Sequence, residues 1–271
     1  IFLNFTDYHP FLFVDTICIG LSYLIFRFLA ENFVTRKFFV LPIIFLVSLR
    51  VSEVRETLLS PNTIKISMVC IYVLLFLIYK VYKHKNLSVA QFYMLGIITA
   101  ILLFTRPFDL FAISPIYLFI LYYCYNTIFK GTNTCSILLG FLIIFVPLII
   151  ILYQIHGYNI SHYYSSSTQI GFNFFGDLLK KYNIYISSLI YLNTPDASLL
   201  NTNIWIYLFL PTIIVLYSVK NYFFIILYYL IINYLYLYSS YNDMLPSNFI
   251  KYGVIRYIVW SFPFMLLIIV Y

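Results

Sequence analysis

An arginine and an aspartate lie three residues apart at a corner between two apolar runs, within Gly96–Pro115 (GIITAILLFTRPFDLFAISP). Pro107 lacks a backbone N–H and disfavours helical geometry at Arg106, so this side chain should leave the backbone from a turn. A guanidinium can bind phosphate through paired hydrogen bonds, and a carboxylate such as Asp109 can act as a general base. Arg106 is therefore either half of an anion site or a surface anchor that contributes little to stability.

Charged residues recur where other apolar runs begin. Glu53, Arg55 and Glu56 precede one run, and the last run follows Lys251, Arg256 and Tyr257. Cations beside carboxylates suit a lipid substrate that carries phosphate, whereas the alternative is that they pair with each other and with lipid headgroups. We expect Arg106 and Arg256 to line one pocket. The candidate substrate-binding residues are Arg55, Glu56, Arg106, Asp109, Lys251, Arg256 and Tyr257.

The composition predicts the fold class. The chain is 63% hydrophobic and only 9% charged, whereas soluble domains are about 25% charged. We therefore predict an all-α, polytopic transmembrane helical bundle forming one domain over residues 1–271, in the plasma membrane or endoplasmic reticulum, with no nucleic-acid partner.

No phosphate-binding loop, metal-ligand spacing or CxxC motif is present, so we predict no metal site and treat the four cysteines as small buried hydrophobes.

Nine apolar runs predict nine spans. They are Phe11–Phe28, Phe38–Leu49, Ile66–Tyr79, Leu87–Phe104, Phe111–Phe129, Ser136–Ile155, Ile204–Val219, Phe223–Ser239 and Tyr257–Tyr271. The second run is short and contains Pro42, so it is a tilted span, which we favour, or a re-entrant piece. The connection 156–203 carries Phe174, Phe175, Leu178 and Leu179 at helical spacing, which favours an interfacial amphipathic helix over a broken span.

The charges indicate an orientation. Short connections alternate with longer ones, and the short set holds eight Lys and Arg residues against one acid, Glu31. The longer set spreads eight basic residues among eight acids. The density of basic residues places the short connections in the cytoplasm. Nearly all carboxylates then lie on the outer side, where we expect any chemistry.

Three segments resemble the GT-C-type membrane glycosyltransferases. Leu95–Leu121, LGIITAILLFTRPFDLFAISPIYLFIL, is similar to that family's Gly-containing helix that ends in Thr/Ser-Arg-Pro. Arg50–Ser67, RVSEVRETLLSPNTIKIS, is similar to its polar Arg/Glu segment, and Ile255–Pro263, IRYIVWSFP, to its late Arg-Tyr helix start. The resemblance runs in order along the chain.

The resemblance implies transfer of a sugar from a dolichyl- or polyprenyl-phosphate donor to an acceptor on the outer or luminal face. It implies a catalytic acid in the first outer loop, where Asp7 is the available residue. The chain begins at Ile1 and reads as trimmed at its N-terminal end, so the acid is either Asp7 or a residue upstream. Arg106 and Arg256 would bind the lipid phosphate. The cofactor stays open, with a divalent cation as the family's usual choice, and membrane lipids are the other partners.

Other functions suit a chain of this hydrophobicity. A transporter or flippase should show internal repeats and ionisable groups in mid-membrane. No repeat is visible, and Asp15 is the only clearly intramembrane acid, which favours the enzyme. A polysaccharide polymerase or a non-catalytic membrane fragment are the remaining alternatives.

The orientation is tested by labelling single cysteines introduced at Asn86 and Ser166 with a membrane-impermeant maleimide in intact cells. We expect Ser166→Cys to be labelled from outside and Asn86→Cys only after permeabilisation. Labelling of both from the same side would contradict the nine-span arrangement.

Overall fold

The structure, a computed structural model, describes residues 12–33, 41–45, 64–156, 206–239 and 259–271. Throughout these ranges the regular structure is helical and no strand occurs, which confirms the all-α prediction for them. The helices are α1 (Leu12–Ala30), α2 (Ile64–His84), α3 (Val89–Thr105), α4 (Pro107–Ala112), α5 (Ser114–Ile128), α6 (Gly131–His156), α7 (Ile206–Phe209), α8 (Thr212–Val219), α9 (Tyr222–Ser239) and α10 (Phe262–Val270). A 3-10 turn, Val259–Ser261, precedes α10, and residues 41–45 are helical.

Among the described residues, three helices are long and apolar enough to cross a membrane: Phe13–Ala30, Lys65–His84 and Gly131–Ile155. Val89–Thr105, Tyr207–Val219 and Tyr222–Leu237 are apolar but shorter. Nine spans stay a prediction, because most of the second run and the whole interfacial helix of residues 156–203 fall outside the described residues. A turn at residues 210–211 divides the helical part of the seventh run into α7 and α8.

Aromatic side chains from several helix ends pack together at one end of the bundle, which we call the Phe33 end. The Phe33 ring stacks on Phe223 at a centroid distance of 5.2 Å and meets Tyr79 edge-on at 5.9 Å and Tyr271 at 6.3 Å. Tyr79 lies in the last two turns of α2, Phe223 near the start of α9 and Tyr271 just after α10. Helices α1, α2 and α10 therefore end here, whereas α9 begins here. Offset and edge-to-face contacts are the favoured geometries of such rings.

The opposite end, which we call the Arg106 end, is where α1 and α2 begin and α3 finishes. Asp15 in the first turn of α1 pairs with Lys65 in the first turn of α2. At the Phe33 end, where α2 ends, a tight connection over residues 85–88 reverses the chain between α2 and α3. The Ser88 side chain accepts from the Gln91 N–H, and the Gln91 side chain accepts from the Ser88 N–H, so a capping box begins α3.

Helix α2 lies at the centre of the described bundle. It packs against α1, α3, α5, α9 and the 3-10 turn. Of its candidate membrane-crossing stretch 67% is buried, against 6% for α6. Helix α6 packs almost entirely on α3 and leaves a row of large apolar side chains exposed, among them Leu139, Ile143 and Ile155. An apolar exposed face of this length is typical of a helix that faces lipid or another protein surface.

Glycines allow α3 and α6 to approach closely. A Cβ added at Gly96 would lie 2.1 Å from the carbonyl oxygen of Ile137, and one added at Gly140 would lie 2.1 Å from that of Tyr93. No side chain fits at either position unless the two backbones separate. Small residues at helix crossings are the usual means of close packing between membrane helices.

We expect Gly96→Ala to lower the free energy of unfolding by about 1–3 kcal/mol, because the added methyl group forces α3 away from α6. The matched control is Gly20→Ala in α1, where an added Cβ meets nothing within 4 Å. Thermal unfolding of the two purified variants in the same detergent measures the difference. A Gly96→Ala variant as stable as Gly20→Ala would mean that the close crossing is absent.

Candidate functional site

Arg106 interrupts the helix between α3 and α4. Its backbone has φ −156° and ψ 79°, and its N–H still donates to the carbonyl of Leu102 at 2.8 Å. Pro107 is the first residue of α4, where the missing N–H costs no hydrogen bond. The predicted turn at this arginine is confirmed, and its side chain leaves from extended backbone.

Of the two alternatives for Arg106, the exposed surface anchor does not fit the structure. Its side chain is 8% exposed, and that of Asp109 is 1% exposed. The sequence pattern identifies the corner as a link between helices, whereas in the structure α4 also packs against α9. Asn233 of α9 donates from Nδ2 to the carbonyl of Ala112 at 2.7 Å, which holds the end of α4 against α9.

Asp109 lies between two polar groups. Its Oδ2 is 3.6 Å from Nε of Arg106 and accepts a hydrogen bond from the Ser67 hydroxyl. Ser67 is 1% exposed, so this bond is shielded from water. The contact joins α4 to the second turn of α2, 42 residues earlier in the chain.

A second buried ion pair lies on the other flank of α2. Lys65 is 1% exposed and its Nζ binds Oδ2 of Asp15, whose side chain is 13% exposed. Lys65 and Ser67 are two residues apart, so they project about 200° apart around the helix. One therefore reaches α1 and the other α4, on either side of α2. We name Asp15, Lys65, Ser67, Arg106 and Asp109 the polar layer.

The polar layer holds two cations, two carboxylates and one hydroxyl at one end of an apolar bundle. A buried charge is costly unless an opposite charge and hydrogen bonds accompany it. The layer meets that condition with zero net charge, and it offers two basic groups that could exchange a carboxylate for a phosphate oxygen. Such an exchange would leave a carboxylate able to take up a proton.

The described residues offer no metal site of three ligands. Within the ranges that the structure covers, no three His, Cys, Asp or Glu side chains come together. Each carboxylate of the polar layer already faces a cation, so the layer does not fit a divalent ion as it is arranged. Cys70 and Cys124 are buried as predicted, but Cys135 is exposed.

The remaining predicted site residues lie outside the described residues. They are Asp7, Arg55, Glu56, Lys251, Arg256 and Tyr257. That Arg106 and Arg256 share a pocket stays a prediction. The nearest described neighbour of Arg256 along the chain is the 3-10 turn, where the Trp260 carbonyl accepts from the Tyr72 hydroxyl at 2.9 Å. That bond holds the turn against α2, two turns of helix from Lys65.

Sequence reasoning missed Lys65 and Ser67 as members of this site. The sequence did indicate Lys65, because Asp15 is an acid in one apolar run and Lys65 directly precedes another. An intramembrane acid usually has a basic partner. Ser67 carried no signal of its own, since its role depends on which helix face meets α4.

We expect Asp109→Ala to lower the free energy of unfolding by about 3–5 kcal/mol, because it removes the carboxylate from a buried guanidinium and from Ser67. The control is Glu31→Ala, which breaks the exposed Arg27–Glu31 pair, 2.8 Å between Nε and Oε1, and should change stability little. Unfolding of both variants in one detergent measures the contrast. Equal, small losses would show that Asp109 lies in contact with solvent.

Comparison with known proteins gives no relative: no family model, no curated protein and no solved structure matches the chain. The functional argument therefore depends on the polar layer and on the resemblance of the three short segments.

Proposed function

We propose that the chain is a multi-pass membrane glycosyltransferase of the GT-C type. It moves a sugar from a polyprenyl-phosphate carrier to an acceptor at the Arg106 end of the bundle, which faces the outside or the lumen. The observation that carries the proposal is the burial of Arg106 in an extended corner, beside Asp109 and close to the start of α2.

Arg106 has the chemistry that the leaving group needs. The phosphodiester of the donor carries one negative charge, and a second charge develops as the bond between the sugar's anomeric carbon and the phosphate oxygen breaks. A guanidinium shielded from water stabilises that developing charge more strongly than an exposed one would. Arg106 is 8% exposed, so little solvent screens it, and its planar fork matches two phosphate oxygens.

The acceptor supplies the nucleophile that forms the new glycosidic bond. Its hydroxyl oxygen attacks the anomeric carbon, its proton passes to a carboxylate, and the polyprenyl phosphate leaves with the electrons of the broken bond. We assign the proton to Asp7, with Arg55, Glu56, Lys251, Arg256 and Tyr257 binding the donor. A divalent cation bound by residues beyond the described ranges is compatible with this scheme.

The position of the last helix supports a contribution from Arg256. Val259, where the 3-10 turn begins, is three positions after Arg256. That turn packs on α2, the helix whose first two turns carry Lys65 and Ser67. A basic residue just before it is therefore well placed by chain length to reach the same end of the bundle.

A second candidate function is transport or flipping of a charged lipid. It is favoured by the buried Asp15–Lys65 pair, because paired ionisable groups inside apolar helices often mark the path of an ion or substrate. Release of Lys65 from Asp15 by a passing anion would be one step of such a path.

Arg106→Lys tests the enzyme proposal. The substitution keeps the positive charge but loses the planar fork, so sugar transfer from a synthetic radiolabelled polyprenyl-phosphate hexose should fall about ten- to a hundredfold. The assay uses full-length protein in liposomes, with a melting temperature recorded for each variant. The matched control is Arg27→Lys, an exposed arginine 47% accessible at the other end of α1, which should transfer sugar at the wild-type rate.

The outcomes separate the two functions. Wild-type transfer by a folded Arg106→Lys variant would remove the arginine from the mechanism. Movement of the labelled lipid across the liposome membrane without sugar transfer, abolished by Lys65→Met, would identify a transporter instead.

A further inference from the structure

An apolar groove runs along the surface of the bundle between α1, α2 and α3. It is lined by Leu24, Ile25, Phe28, Val73, Phe76 and Met94, encloses about 270 Å³ and exposes no polar atom. Leu24, Phe28 and Met94 are exposed, at 58%, 43% and 38%. The groove is therefore open from the side, in the manner of a cleft between helices that face lipid.

A lysine lies at the end of this groove nearer the Phe33 end. The ammonium of Lys80 is 5.9 Å from the centre of the Phe28 ring and 5.5 Å from that of Phe76. Both rings line the groove, so the ammonium group lies at one end of it. Lys80 is seven residues beyond Val73 on α2, which is about 10 Å along the helix axis.

The charge of Lys80 is not neutralised within the described part of the chain. The ion pairs found there are Arg27–Glu31, Lys65–Asp15 and Arg106–Asp109, and none involves Lys80. Lys83 and Lys85, a few residues further along the chain, also lie over aromatic rings, Tyr79 and Tyr123. This end of α2 is thus basic, and its ring-supported lysines can still bind an anion from the solvent side.

We propose that the groove binds one anionic phospholipid, with an acyl chain against Leu24, Val73 and Met94 and the headgroup phosphate at Lys80. The apolar lining suits a hydrocarbon chain and offers no partner to a polar ligand. Lys80 is about two helical turns from Val73 in the lining, and a cation at one end of an apolar groove matches a molecule that is charged at one end only. Anionic headgroups attract basic side chains near the membrane surface.

This site is independent of the proposed sugar transfer. It lies towards the Phe33 end, whereas the polar layer lies at the Arg106 end. It requires only that α1, α2 and α3 are in contact with a bilayer. Its expected consequence is stabilisation of the protein by anionic lipid, because a ligand that binds only the folded state shifts unfolding by mass action.

Quenching of a tryptophan by brominated lipid tests the proposal. Leu24→Trp puts the reporter on the exposed rim of the groove, and the full-length protein is reconstituted in mixtures of dibrominated phosphatidylglycerol or dibrominated phosphatidylcholine with unbrominated lipid. We expect phosphatidylglycerol to occupy the site about fivefold more tightly, which is the preference that one lysine near the membrane surface contributes. Lys80→Gln in the same background should remove the preference.

Two controls define the alternatives. Leu138→Trp lies on the exposed face of α6 and should be quenched equally by both lipids. Lys130→Gln removes an exposed lysine that does not line the groove and should leave the preference intact. Equal quenching of Leu24→Trp by the two lipids, or a preference that survives Lys80→Gln, overturns the proposal. Quenching at 138 but not at 24 also overturns it, since the groove would then be covered by protein, either a partner helix or a second copy.

Discussion

The described bundle depends on the pairing of the charge that α2 buries in its first turn. Lys65 is almost completely enclosed, and Asp15 of α1 is its carboxylate partner. An unpaired ammonium in such surroundings would cost several kcal/mol, so the two helices must begin side by side. Ser67, on the other flank of α2, bonds Asp109 of α4. Together these contacts fix both the rotation of α2 and its height relative to its neighbours, which apolar packing alone specifies weakly.

The two ends of the bundle differ because different forces assemble them. At the Phe33 end, stacked and edge-on rings of α1, α2, α9 and the residue after α10 meet, and their contacts tolerate small shifts. At the Arg106 end, hydrogen bonds and ion pairs demand defined geometry. A site that orients a substrate needs the defined geometry of the Arg106 end. The two aspartates of the described helices, Asp15 and Asp109, both lie there.

Helical periodicity and apolar runs identified most of the described helices from sequence, since α1, α2, α3, α5, α6, α8, α9 and α10 each overlap a predicted run. The turn at Arg106 was predictable as well, because Pro107 acts locally on the residue before it. The inward position of Arg106 was not, since it depends on how α4 meets α9, contacts that are far apart in the chain. The break at Pro211 and the close approach at Gly96 required the same kind of information, although a proline or glycine marked each position.

Geometry distinguishes the roles of the two cations in the polar layer. Lys65 and Asp15 are in direct contact, and separating them would break the joint between α1 and α2. The Nε–Oδ2 distance of 3.6 Å between Arg106 and Asp109 exceeds that of a hydrogen bond. Asp109 is also three residues from Arg106 on a short helix and keeps its bond to Ser67. The Arg106–Asp109 pair lies within one connection, and its separation would leave the Asp109–Ser67 bond to α2 in place, whereas a phosphate at Lys65 would have to replace the carboxylate that joins two helices. Arg106 is for this reason the cation better suited to meet a substrate, and Lys65 the one better suited to hold the bundle together.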